Sequence, residues 1–129
     1  VDKPILLEGE VDIDLRARFS PDGKILLAGG RKGLLRWEFP SGKPLPAPED
    51  ASNPVQVVAY APNGKSYAAA GPSGLRIWSS EGKKLHYFET KAPRNYALDF
   101  DRESQLLVWL GGPVDLTKGG QLRIWETET

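Results

Sequence analysis

The fold of this chain is decided by two neighbouring stretches, RFSPDGKILLAGG at residues 18–30 and GLLRW at residues 33–37. The first stretch places a tight Pro-Asp-Gly turn between two apolar runs, and a glycine-flanked turn separates it from the second. Pro21 presets the backbone φ angle that the turn needs, and Gly23 accepts positive φ without steric cost. The two stretches therefore predict a three-stranded antiparallel meander that ends at Trp37.

This unit recurs along the chain. The stretch YAPNGK at residues 60–65 begins 41 residues after FSPDGK at residues 19–24, and Trp78 lies 41 residues after Trp37. A third, more divergent copy consists of FDRESQ at residues 100–105 and Trp125. Apolar and polar residues alternate from Val11 to Phe19, which is typical of a strand. We therefore expect one all-β domain over residues 1–129 with three four-stranded antiparallel units, in repeats at about 5–42, 43–84 and 85–129.

Composition narrows the functions that the chain can have. It contains 17 Lys and Arg and 17 Asp and Glu, so no net field attracts a nucleic acid or an anionic membrane, and we expect neither as a partner. Cysteine is absent, which excludes disulfides and thiolate metal sites. No apolar run reaches the ~20 residues of a membrane helix, so we expect a soluble protein and favour the cytoplasm, although the compartment stays unknown. Because methionine is absent and the chain begins at Val1, we expect processing or excision from a longer protein.

The repeat length and the recurring motifs resemble the WD-repeat family of β-propellers. The best matches are the FSPDGK turn, the GLRIW segment ending at Trp78 and the GQLRIW segment ending at Trp125. The departures are also clear, because the Trp-Asp ending of the family is Trp37-Glu38, Trp78-Ser79 and Trp125-Glu126 here, and the Gly-His pair is missing. The hydrogen-bond relay of the family therefore cannot form in its usual way, and we expect sheets held by apolar packing and ladder bonds.

The resemblance implies a non-catalytic scaffold that binds a protein through the loops on one side of the ring. These loops are the turns between the second and third strands and the segments that enter the innermost strands. The partner-binding residues expected on them are Arg31, Lys32, Glu49, Asp50, Arg94, Asn95, Asp115 and Lys118.

Three propeller blades cannot close a ring, so the resemblance implies a partial propeller or one protomer of an oligomeric ring. The ends look different, with Asp14, Arg16 and Arg18 at the first unit and an apolar Tyr96, Leu98 and Phe100 face at the third. We expect the chain to assemble with a second copy, which would give six blades. The alternatives are three copies, which would give nine blades, and assembly with the rest of a longer propeller. The short strand 5–7 would complete the unit that ends at Trp125, in the same chain or a neighbour. The expected assembly residues are Ile5, Leu6, Leu7, Arg16, Arg18, Tyr96, Leu98 and Phe100.

An alternative function is a small-ligand or carbohydrate-binding propeller, or an enzymatic one with a central pocket. The innermost strand ends offer few polar groups for such a pocket beyond Glu10, Asp12 and Asn95. His86 is the only histidine, so no metal triad or Ser-His-Asp arrangement can be assembled from local spacing. The sequence therefore predicts no cofactor, no metal and no enzymatic activity.

Overall fold

The computed structural model describes residues 17–113, 117 and 119–127. In these ranges ten strands form three antiparallel sheets, and none of the described residues forms a helix able to cross a membrane. The strands are β1 (Ala17–Phe19), β2 (Ile25–Gly30), β3 (Gly33–Glu38), β4 (Val57–Tyr60), β5 (Ser66–Gly71), β6 (Gly74–Ser79), β7 (Lys84–Phe88), β8 (Arg94–Phe100), β9 (Leu106–Gly112) and β10 (Gln121–Glu126). The predicted all-β class is confirmed.

The three sheets follow the chain order. The first sheet has the order β1-β2-β3, the middle sheet β4-β5-β6-β7 and the third sheet β8-β9-β10. Each consecutive pair of strands within a sheet is antiparallel, as the turn chemistry predicts.

The fourth strand is complete only in the middle sheet among the described residues. In the first sheet it is reduced to a bridge between Trp37 and Pro44 and a hydrogen bond of 2.9 Å from the Leu45 amide to Arg36 O. The prolines that follow Gly42 remove the amide donors that a longer strand would need. The prediction of four strands is therefore corrected for the first unit and holds for the middle one. The strand at residues 5–7, which was expected to complete the third unit, lies outside the described residues.

The turn that defines the repeat is present in all three sheets. In the first copy the Ser20 hydroxyl donates to Asp22 Oδ1 at 2.7 Å, and this bond is the largest cause that lowers the pKa of Asp22 below 3.8. Gly23 and Gly64 both have a φ of 73°, and in the third copy Ser104 takes the same left-handed conformation with a φ of 61°. The divergent third repeat therefore folds the same turn without glycine.

The middle sheet is buried on both faces. One face packs with the first sheet in a core of Leu27, Leu34, Ala51, Val55, Val58, Tyr67, Ala69 and Trp78. The opposite face packs with the third sheet in a core of Val57, Ala59, Ala61, Ala68, Ala70, Leu75, Ile77, Ala92, Leu98, Phe100, Leu107 and Trp109. The three sheets are therefore stacked face to face in chain order.

Candidate functional site

The turns and loops predicted to contact a partner meet along one edge of the sheets, which we call the loop edge. It consists of the β2–β3 and β5–β6 turns and the loops that enter β4 and β8, residues 49–56 and 89–93. The Val55 amide donates to Gly30 O at 3.1 Å, and the Leu34 amide donates to Ala51 O at 3.0 Å. These bonds hold the turn of the first sheet against the loop that enters the middle sheet.

Glycine at the turn makes this close approach possible. Gly33 has a φ of +126°, and a Cβ atom there would lie 1.7 Å from Ala51 O. At Gly71 in the middle sheet a Cβ atom would lie 1.9 Å from Pro54 O. Because a side chain fits at neither position, the loop edge depends on direct backbone contact between turns and loops.

Asp50 is anchored to the middle sheet by two cations. Its Oδ2 accepts hydrogen bonds from Arg76 Nε at 2.8 Å and Lys84 Nζ at 3.0 Å. These bonds, with Arg76 the larger cause, lower the pKa of Asp50 below 3.8. The Arg76 guanidinium also lies 4.7 Å from the centre of the Tyr87 ring. Asp50 therefore presents a fixed carboxylate whose charge is balanced from within the protein.

Glu49 links the same loop to the core. Its main-chain carbonyl accepts the indole N–H of Trp78, and its carboxylate accepts the Lys84 amide at 3.0 Å. Trp78 is buried and stacks on Tyr67 with ring centres 5.6 Å apart. The indole N–H of Trp78 is thus hydrogen-bonded to a backbone carbonyl. In this sheet the Trp-Asp pair that is typical of WD repeats is replaced by Trp78-Ser79.

Asn95 has a structural position rather than an exposed one. It is buried, its Nδ2 and its amide both donate to Gln56 Oε1 at 2.9 and 2.8 Å, and its Oδ1 accepts the Trp109 indole at 2.8 Å. Gln56 Nε2 in turn donates to Pro93 O at 3.2 Å. Asn95 therefore joins the middle and third sheets, and its predicted role in partner contact stays a prediction.

Basic side chains extend from the loop edge. Arg31 and Lys32 are exposed in the β2–β3 turn, and Arg94 is exposed at the start of β8. Lys91 lies 4.0 Å from the Glu89 carboxylate, and both side chains are largely exposed. Of the predicted partner-binding residues, the structure brings to this edge Arg31, Lys32, Glu49, Asp50, Arg94 and the buried Asn95. Asp115 and Lys118 lie outside the described residues.

The structure assigns the faces of the third sheet differently from the sequence expectation. Leu98 and Phe100, expected on a free end, are buried against the middle sheet. The physical reason is that the middle sheet is the surface available to bury the more apolar face of β8. Tyr96 is the extra residue of a β-bulge between Asn95 and Ala97, and its hydroxyl donates to Pro113 O at 3.3 Å.

The first sheet also differs from the expectation of a charged end. Arg18 pairs with Leu27, so it lies on the face that packs towards the middle sheet, although its side chain is exposed. The opposite face presents Phe19, which is 55% exposed and contacts the Phe39 ring edge-on at 5.6 Å. The other expected assembly residues, Arg16 and residues 5–7, lie outside the described residues.

An apolar outer face of the third sheet was missed by sequence reasoning. Leu122 is 65% exposed and Ile124 is 59% exposed, on the side of β10 that faces away from the middle sheet. The sequence pattern that could have predicted it is in β9, where residues 106, 108 and 110 are all apolar. They alternate with Leu107 and Trp109 and therefore lie on the opposite face of the strand.

A groove between the first and middle sheets is the structural candidate for the alternative ligand-binding function. It opens away from the loop edge and is lined by Asp22, Lys24, Ile25, Arg36, Glu38, Phe39, Leu45, Ser80 and Glu81. Its side chains carry charges of both signs. His86 does not line this groove, and its ring stacks on that of Phe88 with the ring centres 5.9 Å apart. Within the described ranges no three His, Cys, Asp or Glu side chains could hold a metal ion together.

The chain is similar to known proteins both in sequence and in structure. No protein-family model matches the chain. The small ribosomal subunit protein RACK1z of Arabidopsis thaliana is 34% identical over 67 residues, which are 51% of this chain and 20% of that protein. RACK1z of Oryza sativa subsp. japonica is 31% identical over 80 residues, which are 61% of this chain and 24% of that protein.

Solved structures match over more of the chain. The structure of U3-55K superposes with a TM-score of 0.69 at 17% identity and covers 92% of this chain. The crystal structure of the RRP9 WD40 repeats superposes with a TM-score of 0.69 at 17% identity and covers 95%. The chain has the fold of these WD40-repeat structures.

The resemblance to WD-repeat propellers that the repeated turn and tryptophan indicated is confirmed by these matches. The matched segment spans only 20% of the length of RACK1z of Arabidopsis thaliana, and the chain covers 41% of each solved WD40 structure. The three sheets of this chain therefore correspond to a part of those proteins, and the likeness to the solved structures concerns the fold.

Proposed function

We propose that this WD-repeat chain is a non-catalytic scaffold that binds a protein partner through its loop edge. One observation supports this role most directly, namely that exposed charged side chains are carried on loops fixed by backbone hydrogen bonds. Asp50 and Glu49 are bonded to the middle sheet, and Arg31 and Lys32 extend from a turn bonded to the loop beside them. A surface that is ordered before binding loses less conformational entropy on association.

The partner that we would test first is an assembly related to ribosomes. The curated relatives carry the name of a small ribosomal subunit protein, which is a statement about those proteins. For this chain we propose a protein contact rather than direct nucleic-acid binding, because its positive and negative side chains are equal in number. A location in the cytoplasm stays a prediction.

The same proposal includes assembly into a larger propeller. We propose that residues 1–129 act as one unit, with repeats at about 5–42, 43–84 and 85–129, that joins a second copy or the rest of a longer propeller. Two copies would give six blades, which is within the usual range of propellers. The small-ligand alternative is less supported, since the groove beside Asp22 is open and gathers charges of both signs.

The scaffold role is tested with a photo-crosslinking residue at one exposed position of the loop edge. Position Pro72 is suitable because it is exposed in the β5–β6 turn, and Pro62 at the opposite edge is the matched control. We expect discrete protein adducts from Pro72 and not from Pro62 when the variants are incubated with cell extract or purified small ribosomal subunits. Equal adduct patterns from both positions would contradict the proposal.

The charged side chains are tested separately. Replacing Arg31 and Lys32 together by glutamate is expected to remove the adducts, whereas the same change at Lys43 and Lys83 on the opposite edge leaves them unchanged. Binding that survives the first double variant would exclude the β2–β3 turn from the contact.

A further inference from the structure

Asp50 and Lys91 occupy the same position in two successive repeats. They are 41 residues apart, and each directly precedes a buried alanine, Ala51 or Ala92. Both have a left-handed backbone, with a φ of 50° at Asp50 and 52° at Lys91. Because this conformation is uncommon outside glycine, its recurrence indicates that the loops entering β4 and β8 share one local fold. Equivalent positions of the two loops therefore carry opposite charges.

Arg76 and Arg123 are equivalent in the same way. Each lies two residues before the repeated tryptophan, Trp78 or Trp125, in a Leu-Arg-Ile-Trp segment. Each guanidinium also lies over an aromatic ring, at 4.7 Å from the ring centre for Arg76 and at 5.3 Å for Arg123. The middle and third sheets therefore hold an arginine at the same place.

In the middle sheet this arginine binds a carboxylate. Arg76 Nε donates to Asp50 Oδ2 at 2.8 Å, and Lys84 Nζ donates to the same oxygen at 3.0 Å. The Asp50 side chain is 37% exposed, so the pair lies at the protein surface. In the third sheet the residue in the place of Asp50 is Lys91, which supplies a second cation instead of a carboxylate.

Arg123 uses its terminal nitrogens for contacts within the chain. Nη1 donates to Glu89 O at 3.3 Å, and Nη2 donates to Gln121 Oε1 at 2.8 Å. Among the residues that the structure describes, no acceptor bonds its Nε and no carboxylate forms an ion pair with it. The third sheet therefore has the cation of the Asp50–Arg76 pair without the anion.

The charge beside Arg123 is mainly positive. The Lys91 side chain is 80% exposed, and Arg94 is exposed at the start of β8. The carboxylate beside Lys91 is that of Glu89, at 4.0 Å, and its side chain is also largely exposed. Such a long and hydrated ion pair is weak, so this surface attracts a further negative charge.

We infer that Arg123 and Lys91 bind an aspartate or glutamate side chain of a protein partner, in the position that Asp50 occupies in the middle sheet. The inference rests on the proposed scaffold function and specifies the chemistry of the partner. The incoming carboxylate accepts a charge-assisted hydrogen bond from Arg123 Nε, as Asp50 does from Arg76 Nε. A carboxylate is chosen over a phosphate because the equivalent arginine of this chain binds one.

The geometry is tested by placing the carboxylate in the chain itself. Lys91→Asp is expected to pair with Arg123, and Lys91→Asn is the matched control because both new side chains tolerate a left-handed φ. The gain in melting temperature of Lys91→Asp over Lys91→Asn should be about 2 °C larger with Arg123 present than in an Arg123→Gln background, as for an exposed ion pair. An equal gain in the two backgrounds would overturn the inference.

Binding is tested with a fluorescently labelled hexaglutamate peptide, by anisotropy at low ionic strength. We expect the affinity to fall by about fivefold or more in Arg123→Gln, and to fall in Lys91→Asp because its own carboxylate fills the position. Lys65→Asp is the matched control, because it makes the same charge change at an exposed lysine on the opposite edge and should leave the affinity unchanged.

Two further results would overturn the inference. One is equal peptide affinity, or no peptide binding, for the unmodified chain and Arg123→Gln. The other is tighter binding of a uridine oligonucleotide of equal charge than of the peptide, which would indicate a phosphate site. Crosslinking at Pro72 is an independent readout of the scaffold role. Adducts from Pro72 without peptide binding would contradict this inference alone, and peptide binding without adducts would contradict the scaffold role.

Discussion

The Asn63 amide donates a hydrogen bond to Ser104 Oγ at 3.0 Å, although the two residues are 41 positions apart. This separation equals the spacing between the first two copies of the repeated turn, and the bond joins the turns of the middle and third sheets. Ser104 is buried and has a φ of 61°, where the other two turns have glycine. The hydrogen bond that the Ser104 hydroxyl accepts therefore offsets the cost of a backbone conformation that glycine would adopt more easily.

Replacing Ser104 separates these two contributions. Ser104→Ala removes the hydroxyl and keeps the positive φ, so we expect a loss of about 1–2 kcal/mol in the free energy of unfolding. Ser104→Gly also removes the hydroxyl but relieves the backbone strain, so its loss should be smaller. Urea denaturation of both variants measures the difference, and an equal or larger loss for glycine would contradict the interpretation.

Asp50 gives the protein a pH-dependent contribution to stability. Its folded pKa is below the ordinary value of 3.8, so the contribution is fully present above that pH and is lost as the pH falls through the folded pKa. Asp50→Asn should lower the free energy of unfolding by about 0.5 kcal/mol near neutral pH, as for a partly exposed ion pair. The difference from the unmodified protein should disappear in strongly acidic solution.

The control for Asp50 is Glu103→Gln, which changes an exposed carboxylate at the opposite edge. If the pH profile of stability changes equally in both variants, the cause is the loss of one negative charge from the protein and not the loss of the Arg76–Asp50 hydrogen bond.

Tyr67 is expected to tolerate loss of its hydroxyl. The side chain is fully buried, and no described group bonds its oxygen. Tyr67→Phe should therefore leave the free energy of unfolding unchanged or raise it by up to about 1 kcal/mol. Tyr87→Phe is the matched comparison, because the Tyr87 hydroxyl donates to Ser73 O at 2.9 Å and its loss should destabilise the protein.

Alkaline pH provides a second readout for Tyr67. Burial raises its pKa from 10.0 to about 12, so the unfolded chain loses this proton before the folded one does. Stability should fall between these two values in the unmodified protein, and the fall should be smaller in Tyr67→Phe. Stability profiles that coincide over this range would show that Tyr67 ionises normally in the folded state.

Trp78 should contribute more to stability than His86. Trp78 is 1% exposed, stacks on Tyr67 and donates to Glu49 O, and truncation of a buried tryptophan typically costs about 3–5 kcal/mol. His86 lies on the edge strand β7 and is only partly buried. Thermal melting of the two alanine variants should differ by about 2 kcal/mol or more, and equal shifts would contradict the alignment of the repeats.

The repeat itself was predictable from sequence because its signals are local. The Pro-Asp-Gly turn needs only neighbouring residues, and strands such as β5 and β6 follow from short apolar runs between glycine turns. The tryptophans recur at one position of the repeat, and Trp78 is buried there.

The faces of the end sheets were not predictable in the same way. Alternation shows that Leu98 and Asp99 lie on opposite sides of β8, but it does not show which side meets the neighbouring sheet. The bulge at Tyr96 also shifts the register, so Asn95 turns inwards to bond Trp109. These outcomes depend on contacts between residues that are distant in sequence.

The double burial of the middle sheet has a consequence for how the protein opens. Its strands β5 and β6 are protected by a sheet on each side, whereas the first and third sheets each have one described neighbour. In a stack where each unit contacts only its neighbours, local unfolding begins at the ends and reaches the centre last. Amide hydrogens around Ala69 should therefore exchange with solvent more slowly than those of either terminal sheet.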